Sequence, residues 1–220
     1  MAEEIGASTR RLPVYLLLDT SGSMHGDAIE AVKIGLKQLR ADLQSDPQAL
    51  ESVWMSVITF DNTARQVVPL TEMAQFQEPV LEAKGTTALG DALKLLMECL
   101  DREVRKTTTT QKGDWRPMIF IMTDGEPNKD GWERYADELK KRKPGNVIAC
   151  AAGTNAKEDP LKLITDTVIR IQDATPGSLG AFMKWVTASV STMSTNVAVN
   201  PEAPVNLPPL PQENGIQIVP

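Results

Sequence analysis

Three oxygen-bearing side chains, Asp19, Ser21 and Ser23, alternate within one short stretch near the start of the chain. One carboxylate and two hydroxyls in a single loop are ligands that suit a hard divalent cation. The same residue types also cap helices, because their oxygens accept hydrogen bonds from free backbone amides. The D-x-S-x-S spacing by itself therefore leaves a metal site and a helix cap as open interpretations.

The elements on either side of this stretch indicate where it lies in a fold. The uncharged run Val14 to Leu18 predicts a strand that is buried on both faces. An amphipathic helix is predicted after it, because apolar residues recur at helical spacing at Ile29, Val32, Leu36, Leu39 and Leu43. Asp19, Ser21 and Ser23 are therefore expected in a strand-to-helix turn, which is where ligands bind in open α/β sheets.

Two further loops of the same kind follow along the chain. Thr86 and Thr87 stand directly before a second helical pattern, which begins at Leu89. The apolar run Met118 to Met122 predicts another buried strand, and Asp124 follows it. Asp124 precedes a glycine, and Asp-Gly is also a common turn pair, so this position alone does not identify a site.

The order of the elements predicts the fold class. Further strands are predicted at 53–60, 147–152 and 168–171, and they alternate with helical patterns, the last of which covers 179–193. A short return strand at 64–68 is expected to pair at the sheet edge. We therefore predict an α/β fold with a doubly wound, mostly parallel central sheet flanked by helices and one short antiparallel edge strand. In such a sheet the three loops converge at the carboxyl edge.

Length and composition indicate one domain with two tails. The chain has 220 residues and 41% hydrophobic content, which suits a single core. We predict a flexible leader at 1–11, the domain at 12–195 and a proline-rich tail at 196–220. Six prolines occur after residue 200, so the tail is expected to be disordered, or alternatively to be an extended strap on which Ile216 and Ile218 dock.

Charge and cysteine content restrict the partners and the location. A net charge of −6 lacks the basic footprint of nucleic-acid binding. No apolar run approaches the roughly 20 residues that span a bilayer, so no transmembrane segment is predicted. The N-terminal residues lack the apolar region of a secretory signal. Two cysteines without metal or redox spacing suggest a reducing compartment, so we expect a cytoplasmic protein.

Three motifs in this order resemble the von Willebrand factor type A (VWA) domain. That family carries a D-x-S-x-S loop, a threonine after a small-residue turn and an aspartate in a T-D-G motif, which together form its metal-ion-dependent adhesion site (MIDAS). The resemblance extends from about Leu12 to Met193. Within this family, the bacterial TerY-type branch, which is associated with tellurite resistance operons, is particularly similar in three segments of this sequence: RRLPVYLLLDTSGSM, GTTALGDAL and IFIMTDGEP.

The resemblance implies a ligand set. It implies direct bonds to the ion from Ser21, Ser23 and Thr86, and contacts largely through water from Asp19 and Asp124. Thr87 is an adjacent alternative to Thr86, and the sequence does not separate them.

The resemblance also implies a function. Hydroxyls in place of carboxylates leave the ion electrophilic, which favours Mg²⁺ or Mn²⁺ over Ca²⁺ and leaves a position open for a carboxylate from a partner. We therefore expect a non-enzymatic module that captures an acidic residue of another cytoplasmic protein in a stress-resistance system. One alternative is a scaffold that the metal stabilises. The other is a metal-dependent phosphatase or hydrolase with Asp19 as nucleophile; the single histidine, His25, is expected to be an exposed helix-start residue.

Overall fold

The computed structural model describes residues 10–127, 131–199, 207–211 and 215–219. Within this part of the chain, strands form one sheet with the order β3-β2-β1-β4-β5-β6-β7. The strands are β1 (Leu12–Asp19), β2 (Val53–Phe60), β3 (Ala64–Glu72), β4 (Met118–Thr123), β5 (Asn146–Ala152), β6 (Val168–Ile171) and β7 (Ile216–Val219).

The helices connect the strands and cover both faces of the sheet. They are α1 (Asp27–Ser45), α2 (Pro47–Ser52), α3 (Leu89–Glu103), α4 (Trp132–Arg142), α5 (Asp159–Ile164) and α6 (Pro176–Val199). The short helix α2 was not expected, because six residues are too few for a periodic pattern. It begins there because the Asp46 carboxylate accepts hydrogen bonds from the first free amides and proline occupies the first turn.

The predicted fold class is confirmed. Strands β1, β2, β4, β5 and β6 pair in parallel, while β3 pairs antiparallel with β2 at one edge. Strand β3 is longer than the predicted 64–68 and continues through Pro69, which an edge strand tolerates because its outer amides have no strand partner. A second antiparallel edge strand, β7, pairs with β6 and was not part of the prediction.

The central strand β1 is buried on both faces, as its uncharged sequence predicted. Leu16 and Leu18 belong to the core beneath α1 and α6, while Tyr15 and Leu17 belong to the core beneath α3 and α4. Both cysteines are buried and free, Cys99 on α3 and Cys150 on β5. No helix in the described part of the chain combines the length and the apolar character that crossing a membrane requires.

The structure adds detail at both predicted tails. Of the leader at 1–11, residues 1–9 lie outside the described residues, but Arg11 pairs with Asp114 and the Arg10 guanidinium lies 3.4 Å from the ring centroid of Trp115. These two residues are therefore part of the packed domain rather than of a flexible leader.

The chain beyond 195 is also structured wherever it is described. Helix α6 continues to Val199, past the predicted boundary. Within the tail, for which disorder or a docked strap was expected, residues 216–219 form β7, and Ile216 is 6% exposed. Ile218, expected to dock beside it, is 62% exposed. Residues 200–206, 212–214 and 220 lie outside the described residues.

Candidate metal centre

The carboxylate of Asp19 lies at the carboxyl end of β1 and is almost completely buried, at 1% exposure. Its Oδ1 accepts a hydrogen bond of 2.8 Å from the backbone amide of Ser21. Its Oδ2 accepts a hydrogen bond of 2.5 Å from the hydroxyl of Thr123, the last residue of β4. The two neighbouring strands β1 and β4 thus hold this carboxylate from both sides.

A chain of side-chain oxygens joins the loops that follow these two strands. The hydroxyls of Ser21 and Ser23 lie 3.0 Å apart. The Ser23 hydroxyl donates a hydrogen bond of 2.7 Å to Oδ1 of Asp124. Four of the five predicted site residues, Asp19, Ser21, Ser23 and Asp124, are therefore brought together as expected.

The fifth predicted residue, Thr86, is directed elsewhere. Its hydroxyl lies 3.1 Å from Oδ1 of Asn62, and the same oxygen accepts the backbone amide of Thr86 at 3.0 Å. Its neighbour Thr87 is buried instead, and the Thr87 hydroxyl oxygen lies beside Gly125. The structure therefore places Thr87, rather than the predicted Thr86, beside the loop that carries Asp124.

The close approach of Thr87 depends on a glycine. A Cβ added to Gly125 would lie only 2.7 Å from the Thr87 hydroxyl oxygen and 3.7 Å from Oδ2 of Asp19. Any larger residue at this position would push Thr87 away from the carboxylates. The glycine of the T-D-G motif thus keeps the third loop in contact with the other two.

Backbone hydrogen bonds hold the loops in register. The amide of Gly22 donates to the carbonyl of Gly85 at 3.0 Å, and the amide of Lys84 donates to the carbonyl of Thr20 at 2.8 Å. Because these bonds tie the serine loop to the threonine loop, the side-chain oxygens are positioned before any ligand arrives.

Burial dominates the electrostatics of the two carboxylates. It raises the pKa of Asp19 to about 6, against the opposing hydrogen bonds from Thr123 and Ser21. The nearby charge of Asp124 adds to this increase. Burial also raises the pKa of Asp124, against the hydrogen bond from Ser23. Among the ion pairs of the described residues, none includes either carboxylate.

The donor set fits a hard cation. One buried and one half-buried carboxylate and three hydroxyls present oxygen atoms alone, which is the chemistry of Mg²⁺ and Mn²⁺ sites. A cation here would offset the cost that burial imposes on the negative charges. In the described part of the chain, no three His, Cys, Asp or Glu side chains cluster as a metal site, and this set contains only two carboxylates beside its three hydroxyl groups.

Two residues of the site were missed by sequence reasoning. Thr123 supports the Asp19 carboxylate, and Asn62 holds Thr86 away from it. Thr123 had a local signal, since it ends a buried strand directly before Asp124. Asn62 had none, because its role depends on the packing of the loop after β2 against the threonine loop.

Comparisons with known proteins agree with this fold. A family model described as the von Willebrand factor type A domain matches residues 14–178. An uncharacterized protein of Synechocystis is 36% identical over 124 residues, which are 53% of this chain and 26% of that protein. The present chain therefore spans about a quarter of the length of that relative.

Two solved structures illustrate the likeness in fold. Proximal thread matrix protein 1 from the mussel byssus, with a zinc-occupied MIDAS motif, superposes with a TM-score of 0.61 at 20% identity, covering 82% of this chain and 48% of that chain. VWA2, an ArnB paralog from Sulfolobus acidocaldarius, gives a TM-score of 0.61 at 18% identity, covering 83% of this chain and 46% of that chain. At these identities the likeness concerns the fold.

Proposed function

Because this chain belongs to the von Willebrand factor type A domain family, we propose that it is a protein-interaction module whose carboxyl-edge loops bind one divalent cation. In this proposal the cation in turn binds a carboxylate of a partner protein. The observation that carries the proposal is the buried carboxylate of Asp19 beside the half-buried carboxylate of Asp124. Both lie next to two serine hydroxyls, and neither forms an ion pair with a basic side chain of the described residues.

The proposed ligands follow the geometry with one change from the sequence. We assign direct bonds to the ion to Ser21, Ser23 and Thr87, and contacts through water to Asp19 and Asp124. Thr86 is replaced in this set because its hydroxyl contacts Asn62. The proposed ion is Mg²⁺ or Mn²⁺, because these ions accept hydroxyl and water ligands readily and a tight Ca²⁺ site uses more carboxylates.

The partner is proposed to supply an acidic side chain. Hydroxyls provide the direct protein ligands in this set, so the ion retains positive charge that an incoming carboxylate would balance. The names of two structural neighbours, a thread matrix protein with a zinc-occupied MIDAS motif and the pilus adhesin SpaC from Lactobacillus rhamnosus GG, support a binding role rather than an enzymatic one.

The cellular role is proposed from the sequence motifs. Their similarity to the TerY-type branch supports a part in tellurite or general stress resistance, with another protein of that system as partner. Two buried free cysteines support a reducing compartment, and we propose the cytoplasm.

Metal-dependent partner retention tests this proposal. Wild type, Asp19→Ala and Thr86→Ala proteins would be immobilised and exposed to lysate in Mg²⁺ or in chelator. We expect wild type and Thr86→Ala to retain a common partner in Mg²⁺, and Asp19→Ala to retain none. Circular dichroism checks that each variant is folded.

The outcomes separate the three classes of function. Equal retention by chelated wild type and by folded Asp19→Ala would contradict metal-dependent capture. If Mg²⁺ then still raised the melting temperature of wild type, a metal-stabilised scaffold would be the better assignment. Mg²⁺-dependent turnover of a generic phosphoester that Asp19→Ala loses would instead indicate a hydrolase.

A further inference from the structure

The chain after α6 returns across the domain and covers one side of it. We call residues 207–211 and 215–219 the strap. Residues 207–211 lie against α6, and 215–219 carry β7, which pairs with the last parallel strand, β6. The strap therefore contacts a helix and a strand that are otherwise separate elements of this edge.

The first part of the strap is held by a tryptophan. The indole nitrogen of Trp185 donates a hydrogen bond of 2.9 Å to the backbone carbonyl of Pro208. The indole is fixed from behind, because it packs edge-on against Phe120 and is stacked with Phe182. Leu207 and Leu210 are partly buried against the same core. An extended proline-containing segment thus lies on an aromatic surface with one directed hydrogen bond.

The second part of the strap completes the sheet. Gly215 turns the chain into β7 with φ at +64°, a conformation that favours glycine, and its carbonyl accepts the amide of Gln172 at 3.2 Å. Ile216 then pairs with Ile171 and is buried, while Ile218 pairs with Ile169 and is 62% exposed. Ile216 and the partly buried Val219 therefore make the apolar contacts of this strand.

The strap makes a limited set of contacts with α6 and β6, and without it this surface would be open to solvent. Its described attachments are a four-residue strand, the buried Ile216, three partly buried apolar residues, and hydrogen bonds from the Trp185 indole and the Gln172 amide. Beneath it lie the outer backbone edge of β6, which would be unpaired without β7, and apolar side chains of the core. An open strand edge of this kind accepts another strand. The attachment is thus confined to two short segments, while the surface beneath them fits an extended segment.

We propose that the edge of β6 and the Trp185 side of α6 form an acceptor surface for an extended segment of a partner protein, and that the strap occupies it in the absence of that partner. The strap itself shows which chemistry fits: a leucine and proline stretch that presents a backbone carbonyl to the indole, followed by a short strand with an apolar residue at the position of Ile216. The surface is distinct from the metal centre.

Tethering explains why the strap excludes other segments. A segment joined to its binding surface by a short linker acts at an effective concentration in the millimolar range. A free segment of equal intrinsic affinity therefore competes poorly until the strap is weakened. Access to the acceptor surface is controlled by how firmly the strap is held.

A peptide with the sequence of residues 207–219, LPPLPQENGIQIV, is the probe. Its binding to the full chain would be measured by fluorescence anisotropy for wild type, Ile216→Asp and Ile218→Asp. The two variants introduce the same charge two residues apart on one strand, but only Ile216 is buried. We expect the peptide to bind Ile216→Asp at least about 10-fold more tightly than it binds wild type or Ile218→Asp, because only the first has lost its tethered competitor.

Each outcome decides the proposal. Failure of the peptide to bind folded Ile216→Asp, or equal affinity for all three proteins, would overturn it. Wild-type dimers at micromolar concentration would also overturn it, since the strap would then prefer a second copy. If Ile216→Asp does not fold, Leu210→Ala weakens the strap without changing the acceptor surface, and a few-fold gain in peptide affinity is expected there. A Leu210→Ala protein with wild-type affinity for the peptide would then count against the proposal.

Discussion

Strand β1 has a buried aspartate near each of its ends, and the two are compensated differently. At the amino end, the Asp114 side chain is 2% exposed and is bound by the guanidinium of Arg11 through both carboxylate oxygens, at 2.9 and 2.5 Å. It also accepts the backbone amide of Arg105 at 2.8 Å. At the carboxyl end, Asp19 is equally buried but accepts only neutral donors, from Ser21 and Thr123.

The difference teaches how structural and binding carboxylates can be told apart. Burying a carboxylate is costly unless a cation or several hydrogen bonds compensate its charge. Asp114 is paired with the guanidinium of Arg11, whereas none of the ion pairs of the described residues includes Asp19. Asp114 therefore closes the amino edge of the sheet, where Arg11 also lies over the ring of Trp54. Asp19 is left to a cation from outside the chain.

The largest effect is expected when the guanidinium of Arg11, which pairs with Asp114, is removed. Arg11→Ala leaves the Asp114 carboxylate buried without its partner, and we expect a loss of about 3 to 5 kcal/mol in the free energy of unfolding. Urea denaturation at pH 7 in chelator measures it. Lys33→Ala is the control, because it breaks an exposed pair with Glu30 and should change stability by less than about 1 kcal/mol. Similar losses in both variants would contradict the distinction between the buried and the exposed pair.

The pH dependence of stability tests the uncompensated carboxylate. Without metal, the pKa of Asp19 is about 6, above that of an unfolded chain. Between about pH 4 and 6 the native state therefore retains a proton that the unfolded state has lost, and the free energy of unfolding falls as pH rises. The decrease is on the order of 3 kcal/mol for a shift of this size.

The matched variant for this measurement is Asp19→Asn, which lacks the ionisable group. Urea denaturation of metal-free wild type and variant between pH 4 and 7 gives two curves, whose difference removes the contributions of other residues. The stability of the variant should exceed that of wild type increasingly as pH rises through this window. Parallel curves would show that Asp19 does not titrate between these values.

Metal affinity is expected to depend on Asp19, which has no ion pair among the described residues, but not on a carboxylate of the same sheet edge that is already paired with an arginine. Asp19→Asn should weaken Mg²⁺ or Mn²⁺ binding by about 100-fold, since even residues that contact a metal indirectly contribute 10- to 100-fold. Asp61, also buried, is paired with Arg65 at 3.1 Å. Asp61→Asn should therefore leave the affinity within about threefold of wild type. Isothermal titration calorimetry of both variants decides the matter, and equal losses would refute the assignment of Asp19.

The smallest predicted effect concerns the two threonines. Thr87→Ala should weaken Mg²⁺ binding by about 10-fold through loss of one hydroxyl, whereas Thr86→Ala should change it by less than about threefold. Each variant loses the same atoms from adjacent positions, so the comparison isolates the direction of the side chain. The same titration measures it. A larger loss for Thr86→Ala would restore the original ligand set.

Much of the fold could be predicted because its signals are local. The uncharged run of β1 and the helical stripe of α1 each lie within one element, and both match the structure. Helix α2 was not predicted, because its six residues are too few for a periodic pattern and it begins at a capping aspartate. The edge strand β7 was not predicted, because six prolines in the tail suggested disorder. The pairing of Ile216 also depends on β6, which lies more than 40 residues earlier in the chain.

The sequence by itself determined that Asp19, Ser21, Ser23 and Asp124 share one edge of the sheet, because strand and helix periodicities impose a parallel sheet whose loops meet there. It did not determine which of two adjacent threonines joins them. The tertiary structure decided that, because Asn62 holds Thr86 and the missing side chain of Gly125 makes room for Thr87. The tertiary structure also decided which buried carboxylate has a basic partner. Arg11 and Asp114 are distant in sequence, and charge pairing depends on their distance in space.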